Sequence, residues 1–376
     1  MVPAVSATLS STRMKAFRRL LFAFTVVLAT ASCSRRTSFS ARVANGPTTI
    51  DAIDAELRRL EAAGFAGVVL LARGDKVLLE RGYGFADREK RRPMSPETGF
   101  DIGSLTKPFT ASAVLALERD GKLHRGDTLD RFFPGAPADK RAITVAQLLA
   151  HSSGLPDIVD ARSQPVKYTP DFDYEPVSRD EIVRRALAST LRFAPGSKTE
   201  YSNLGFSLLG AVIEIASGES YDAYVRRAIF VPAGMKRTGY GLAGWKSDDL
   251  ATGYVRGARW GTPLEHAWLA DGPSWNLRAN GGMLSNAPEL LAWVRALDRG
   301  TALDGEAKRA FFDLSVHVTK SGSRVMGPAG SNEVFDAVYA WFVDEGRVVI
   351  VLTSDPRVRA EDVISPLIRA MRSAGY

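Results

Sequence analysis

Ser104 and Lys107, three residues apart in Phe100-Asp-Ile-Gly-Ser-Leu-Thr-Lys-Pro-Phe109, have the types and spacing for nucleophilic chemistry. A serine hydroxyl is a weak nucleophile until a neighbouring group takes its proton. Side chains three residues apart on a helix share a face, so a helical segment would hold the amine beside the hydroxyl. The small and apolar run from Phe109 to Leu117 predicts such a helix, with Ser104 at its start. There the free backbone N–H groups and the helix dipole favour the negative charge of an oxyanion. Pro108 fits, because a first-turn N–H has no intrahelical acceptor to lose. Alone, Ser-x-x-Lys is a common coincidence that a solvated helix start explains equally well. Its meaning depends on what the rest of the chain brings to it.

The elements that must position this pair lie at both chain ends. Asp51 to Ala63 places Ile53, Leu57 and Leu60 on one helical face. Two apolar runs, Gly67–Arg73 and Lys76–Arg81, flank Gly74-Asp75 and predict a β-hairpin. A second hairpin is expected from residues 335–342 and 347–354 around Asp344-Glu345-Gly346, followed by an amphipathic helix from Glu361 to Arg372. Residues 120 to about 280 read as helices and long connections. Thr144-x-x-Gln147 forms a capping box, Leu204 to Ala216 a helix ended by Gly218, and Asp222 to Phe230 a further helix. The expected fold class is α+β, an antiparallel sheet flanked by helices, built from residues 49–120 and 281–376, with an inserted helical part over 121–280. No internal repeat is present.

The 376 residues are 45% apolar and 24% charged, an ordinary globular composition. The net charge of +7 is unevenly placed: residues 1–33 hold Arg13, Lys15, Arg18 and Arg19 and no acidic residue. Without those four, the remaining basic residues nearly balance the acidic ones and form no dense run, which argues against nucleic acid as a partner. A positive stretch, an apolar run from Leu20 to Thr30 and the small residues Thr30-Ala31-Ser32 before Cys33 make an export signal over 1–33, with Met14 as an alternative start. The run is too short to span a bilayer comfortably. Cys33, the only cysteine, permits no intramolecular disulfide, and its place resembles a lipoprotein cleavage site. Lipidation there and simple cleavage nearby both remain open. Residues 34–48 are a polar tether, and the predicted location is the periplasm or cell envelope, with a membrane contact only through an N-terminal lipid.

Downstream, Gly196-Ser-Lys-Thr-Glu-Tyr201-Ser202-Asn203 supplies a Tyr-x-Asn. With Ser-x-x-Lys upstream, it resembles the penicillin-recognising serine hydrolases, and within them the class C β-lactamase-related proteins, which include esterases and D-Ala-type peptidases. Leu-Leu-Ala-His-Ser-Ser-Gly-Leu-Pro-Asp at 148–157, Ile-Phe-Val-Pro-Ala-Gly-Met at 229–235 and Gly-Gly-Met-Leu-Ser-Asn at 281–286 are similar to the same group. The resemblance runs from about residue 52 to 375 and implies a β-lactamase/transpeptidase-like fold. It implies that Ser104 forms an acyl-enzyme on an ester, an amide or a peptidoglycan-type peptide. Lys107 and Tyr201 would share the proton work, the neighbouring lysine cation favouring tyrosinate. Asn203 would orient Lys107 and contact the acyl group. No cofactor and no metal are implied.

The third motif of that group, a Lys or His, then Thr, Ser or Gly, then Gly on an inner strand, is where the chain departs. Counting back from the strand at Phe335 puts Pro328-Ala329-Gly330-Ser331 there, replacing the cation by proline. Gly330 and Ser331 keep the backbone role, with the N–H groups of Ser104 and Ser331 as an oxyanion hole. Pro328 is expected at a strand start or edge. Lys320-Ser321-Gly322 matches the motif by residue type but needs eight extra residues before Phe335. Loss of the cation disfavours strong β-lactamase activity, since a substrate carboxylate loses a charge-assisted hydrogen bond. It also leaves open a non-catalytic envelope protein that kept the fold. A Ser-His-Asp hydrolase fits poorly: the chain has no Gly-x-Ser-x-Gly elbow and only His124, His151, His266 and His317. His151 is expected to close the short helix before it. No His, Cys or carboxylate spacing suggests zinc.

Overall fold

The computed structural model describes residues 49–167, 175–266, 268–269, 271–355 and 357–376. The expected export signal, the tether and Cys33 lie outside the described residues. Helix α1 (Ile50–Ala62) leads into strands β1 (Gly67–Arg73) and β2 (Lys76–Tyr83), and a short turn enters α2 (Thr106–Arg119). The middle of the chain supplies α3 (Val145–Leu149), α4 (Arg179–Ala188), α5 (Asn203–Ser217) and α6 (Tyr221–Val225). Helices α7 (Ala287–Arg299) and α8 (Gly305–Ser315) return the chain to β3 (His317–Val318), β4 (Arg324–Met326), β5 (Ala329–Ser331), β6 (Asp336–Phe342) and β7 (Arg347–Thr353). Helix α9 (Ala360–Ser373) closes it.

The strands form one sheet in the order β3-β4-β6-β7-β1-β2, with β5 also paired to β6. Neighbours run antiparallel, and Gly67 of β1 lies opposite both Thr353 of β7 and Tyr83 of β2. Both chain ends therefore meet at the centre of the sheet. Val68, Leu70 and Ala72 join the core shared with α2, α5 and α7, while Val69 and Leu71 join the one shared with α1 and α9. A strand covered on both faces has no polar side to alternate with, which is why β1 and β7 read as unbroken apolar runs. Each fully buried Val, Leu or Ile stabilises this arrangement by roughly 1.5–3 kcal/mol.

In the helical part, sequence expectation and structure differ in places that include the following. The helix expected over Asp222–Phe230 becomes α6 followed by a π turn, Arg226–Phe230, in which the Val231 N–H bonds to Arg226 O at 2.9 Å. The wider turn carries Phe230 into the core, edge-on to Phe109 at 5.1 Å. Residues 253–255 and 258–261, read as connection, form a small hairpin. Its turn needs left-handed backbone at two successive residues, Arg256 (φ 52°) and Gly257 (φ 86°), and only the glycine advertises this in the sequence.

The site end of the fold is fixed by a close approach. Strand β5 lies against the turn before α2, and a Cβ on Gly330 would overlap the Ile102 carbonyl oxygen and stand 2.7 Å from the Ser104 nitrogen. Gly327, at the mouth of the same segment, has its nearest such neighbour at 3.7 Å. Gly330→Ala is therefore expected to lower stability by about 1–3 kcal/mol through overpacking against backbone that cannot turn away. Gly327→Ala should change little; thermal melting of the two variants side by side checks the difference.

Candidate active site

Ser104 sits in a single 3-10 turn, Gly103–Leu105, that runs into α2. Gly103 has φ 50°, and a Cβ there would stand 2.8 Å from the Ser331 nitrogen of β5. The Ser104 and Ser331 amides thus lie on the two sides of one close backbone contact. Lys107 follows in the first turn of α2 with its side chain buried, and Pro108 occupies the next position without breaking the helix.

The Lys107 Nζ lies 3.0 Å from Ser104 Oγ, 2.7 Å from Asn203 Oδ1 and 2.6 Å from the Asn280 carbonyl oxygen. The Tyr201 hydroxyl lies 2.6 Å from Ser104 Oγ. Lys107 Nζ also stands 4.8 Å from the Tyr201 ring centre, close enough for cation–π attraction. Ser104, Lys107, Tyr201 and Asn203 are therefore brought together, the first two as their spacing predicts and the other two as the family resemblance implies. Asn280 is an addition: its contribution is a backbone carbonyl, which no side-chain pattern reveals.

Tyr201 and Asn203 are held by the start of α5. Ser202 caps that helix, its Oγ accepting from the Gly205 N–H at 3.0 Å and donating to Pro156 O at 2.8 Å. The Asn203 N–H donates to Asp157 Oδ1 at 2.9 Å. His151 takes a left-handed conformation (φ 52°) and its N–H bonds to Leu148 O, so it closes α3. Its ring then lies between Tyr201 and Phe206, with centres 4.7 and 5.0 Å away, and its Nδ1 accepts the Ser202 N–H at 3.1 Å. Burial, reinforced by the nearby Lys107 charge, pushes the His151 pKa down to about 3. The imidazole is neutral, with its proton on Nε2, and acts as a packing plate behind Tyr201.

One electrostatic expectation is corrected. Withdrawal of the Tyr201 hydroxyl from water raises its pKa above the ordinary tyrosine value. The hydrogen bond with Ser104 opposes the rise, and the Asp157 carboxylate adds to it. Tyr201 as a residue is 38% exposed, with its hydroxyl set against Ser104 Oγ. The resting tyrosine is a neutral acid, not a tyrosinate.

Pro328 immediately precedes β5, an edge segment that pairs with β6 through Ala329–Val338, Gly330–Ala337 and Ser331–Asp336. The alternative motif Lys320-Ser321-Gly322 is not on this strand. It forms the loop between β3 and β4, closed by Thr319 N–H to Ser323 O at 2.9 Å, with Gly322 at φ 86°. The eight residues that alternative would have to skip are used by β4 and its link to β5. Beside Lys107 opens a small apolar cavity of about 40 Å³, walled by Lys107, Pro108, Phe206, Leu314, Met326 and Pro328. Among the described residues, no group of three His, Cys, Asp or Glu is arranged to hold a metal.

The beta-lactamase family model matches residues 51–356. Penicillin-binding protein 4* of Bacillus subtilis (strain 168) is 36% identical over 197 residues, 51% of this chain and 42% of that protein. The chain thus spans less than half the length of that curated relative. Two solved structures share the fold. The octameric penicillin-binding protein homologue from Pyrococcus abyssi has a TM-score of 0.71 at 22% identity, covering 86% of this chain and 76% of that one. The D-amino acid amidase from Ochrobactrum anthropi SV3 has a TM-score of 0.69 at 22% identity, covering 86% and 98%. With Lys107, Tyr201 and Asn203 gathered around Ser104 and a family match over most of its length, the chain belongs to the beta-lactamase family.

Proposed function

We propose that the protein is an exported serine hydrolase that forms an acyl-enzyme on Ser104, acting on an ester or amide whose group beside the scissile carbonyl is small, apolar and uncharged. The observation that carries this reading is Ser104 Oγ held at once by the Tyr201 hydroxyl (2.6 Å) and Lys107 Nζ (3.0 Å). The basic, then apolar, then small order of residues 13–33 supports export to the periplasm or cell envelope.

The proton inventory gives each group a task. Asn203 Oδ1 and the Asn280 carbonyl are acceptors only, so they fix two of the Lys107 N–H groups. The third position of Nζ points at Ser104 Oγ. With that proton absent, the amine lone pair takes the serine proton as Oγ attacks the carbonyl carbon. The Ser104 and Ser331 N–H groups stabilise the oxyanion. Tyr201, protonated at rest, gives its proton to the leaving group. That step leaves an ammonium on Lys107 beside a tyrosinate, a pair the short distance favours. In deacylation the tyrosinate takes a proton from water, whose hydroxide attacks the acyl carbon. Oγ departs with the proton from Lys107, and the resting state returns.

The cavity beside Lys107 supports the substrate class. A volume of about 40 Å³ holds only a few atoms. Its Pro328 wall adds no cation to Lys107, whose amine is already committed to Ser104, Asn203 and Asn280. Small apolar groups lose little on entry, whereas a carboxylate loses its partner.

Three outcomes follow. A fluorophosphonate probe labels the wild type and not Ser104→Ala; equal labelling of both, or none of either, would favour a non-catalytic envelope protein. With p-nitrophenyl esters, kcat/KM is higher for acetate and butyrate than for octanoate, and a flat or rising series contradicts the small cavity as a subsite. Pro328→Lys lowers KM for a carboxylate-bearing substrate such as penicillin G about tenfold, the ~1.4 kcal/mol of one charge-assisted hydrogen bond, with KM for neutral esters unchanged or raised.

A further inference from the structure

The two amides assigned to the oxyanion hole come from segments more than two hundred residues apart in the chain. A side-chain bridge joins these segments just outside the reacting centre. Asp101, 1% exposed, accepts the Gly103 N–H on Oδ1 at 2.7 Å and the Asn332 Nδ2–H on Oδ2 at 2.9 Å. Asn332, 6% exposed, accepts the Val334 and Phe335 N–H groups on its Oδ1, at 3.1 and 2.8 Å. Its own N–H bonds to Phe335 O at 3.2 Å. Asp101 thus holds Gly103, the residue before Ser104, and Asn332, its partner, is itself the residue after Ser331. Asp101 is itself seated by strand pairing with Leu284, in the segment that continues from Asn280.

We infer that the buried Asp101–Asn332 pair is the positioning clamp that sets the spacing between the Ser104 and Ser331 amides. The clamp touches no reacting atom; it acts through backbone on either side of the hole. The pair is directional. Asn332 Oδ1 is committed to two N–H donors, so its amide nitrogen must face Asp101 and requires an acceptor there. Aspartate supplies one on each oxygen, for Gly103 and for Asn332. Burial raises the Asp101 pKa to about 6, with the two hydrogen bonds opposing the rise. A carboxylate kept in so dry a place indicates that its acceptor pattern is needed. Backbone spacing matters here because a displacement of order 1 Å in a catalytic group costs about 10²-fold in rate.

The polarity yields a rescue test, which rests on the hydrolase reading above for its kinetic arm. In Asp101→Asn, the new Nδ2–H₂ meets the Asn332 Nδ2–H₂, donor against donor. If Asn332 turns to relieve this, its oxygen leaves Val334 and Phe335. In the double variant Asp101→Asn/Asn332→Asp every bond can be remade: residue 101 still accepts from Gly103 and now donates to the carboxylate at 332, whose other oxygen accepts Val334 and Phe335. With p-nitrophenyl butyrate, Asp101→Asn should lose about 10²-fold in kcat with KM nearly unchanged. The double variant should recover most of that loss.

Hydrogen exchange at the Gly103 and Val334 amides supplies a readout independent of turnover. Protection should fall in the single variant and return in the swap. Wild type without esterase activity would remove the hydrolase reading while exchange still judges the clamp. Full kcat in Asp101→Asn, or a swap no better than the single variants in both kcat and exchange, would overturn the clamp.

Discussion

The arrangement around Ser104 depends on one buried amine. Lys107 Nζ reaches the nucleophile on its own turn, the amide oxygen of Asn203 at the start of α5, and the carbonyl of Asn280 in the link that returns to the sheet. These three acceptors lie on three separate segments, two of them from the helical part and one on the helix that begins beside the sheet. A buried donor left without its acceptor costs about 1–3 kcal/mol, so each of these contacts resists being broken. The same contacts that make the serine reactive therefore also register the helical layer against the sheet layer. That coupling explains why so much of the neighbouring structure is spent on rigid supports: the Ser202 cap, the Asp157 bond to Asn203 and the neutral His151 ring behind Tyr201.

The contrast between the two walls of the site sets its chemistry. On one side lie the amine, the amide of Asn203 and the Tyr201 hydroxyl, a polar group of fixed donor and acceptor direction. On the other, Pro328 and Met326 close a small apolar space at the start of β5. In the proposed function, nucleophilic power and substrate choice fall to these two walls, which meet at Lys107.

Much of this was legible in the chain. Ser104 and Lys107 announce themselves by residue type and spacing, Tyr201 and Asn203 through the family resemblance, and both central hairpins by apolar runs around Gly-Asp and Glu-Gly. The position of Pro328 follows from counting back along a strand whose period is short and regular. The unread parts have physical reasons. The Asn280 contact is a carbonyl that every residue possesses, and the Asp101–Asn332 bond joins residues far apart in sequence with no local pattern. The π turn after α6 is a tertiary adjustment that brings Phe230 onto Phe109. The raised Tyr201 pKa reflects desolvation, which depends on packing rather than on the Lys107 charge that the sequence displays.

The most direct test of an acyl-enzyme on Ser104 is to trap it. p-Nitrophenolate leaves without needing a proton, so Tyr201→Phe should still be acylated by p-nitrophenyl butyrate but should deacylate slowly for want of a base for water. Acid quenching followed by peptide mass mapping should find one butyryl group on Ser104, accumulating in Tyr201→Phe and transient in the wild type. Ester cleavage with no adduct in either protein, or a butyryl group on another residue that persists in Ser104→Ala, would contradict the account.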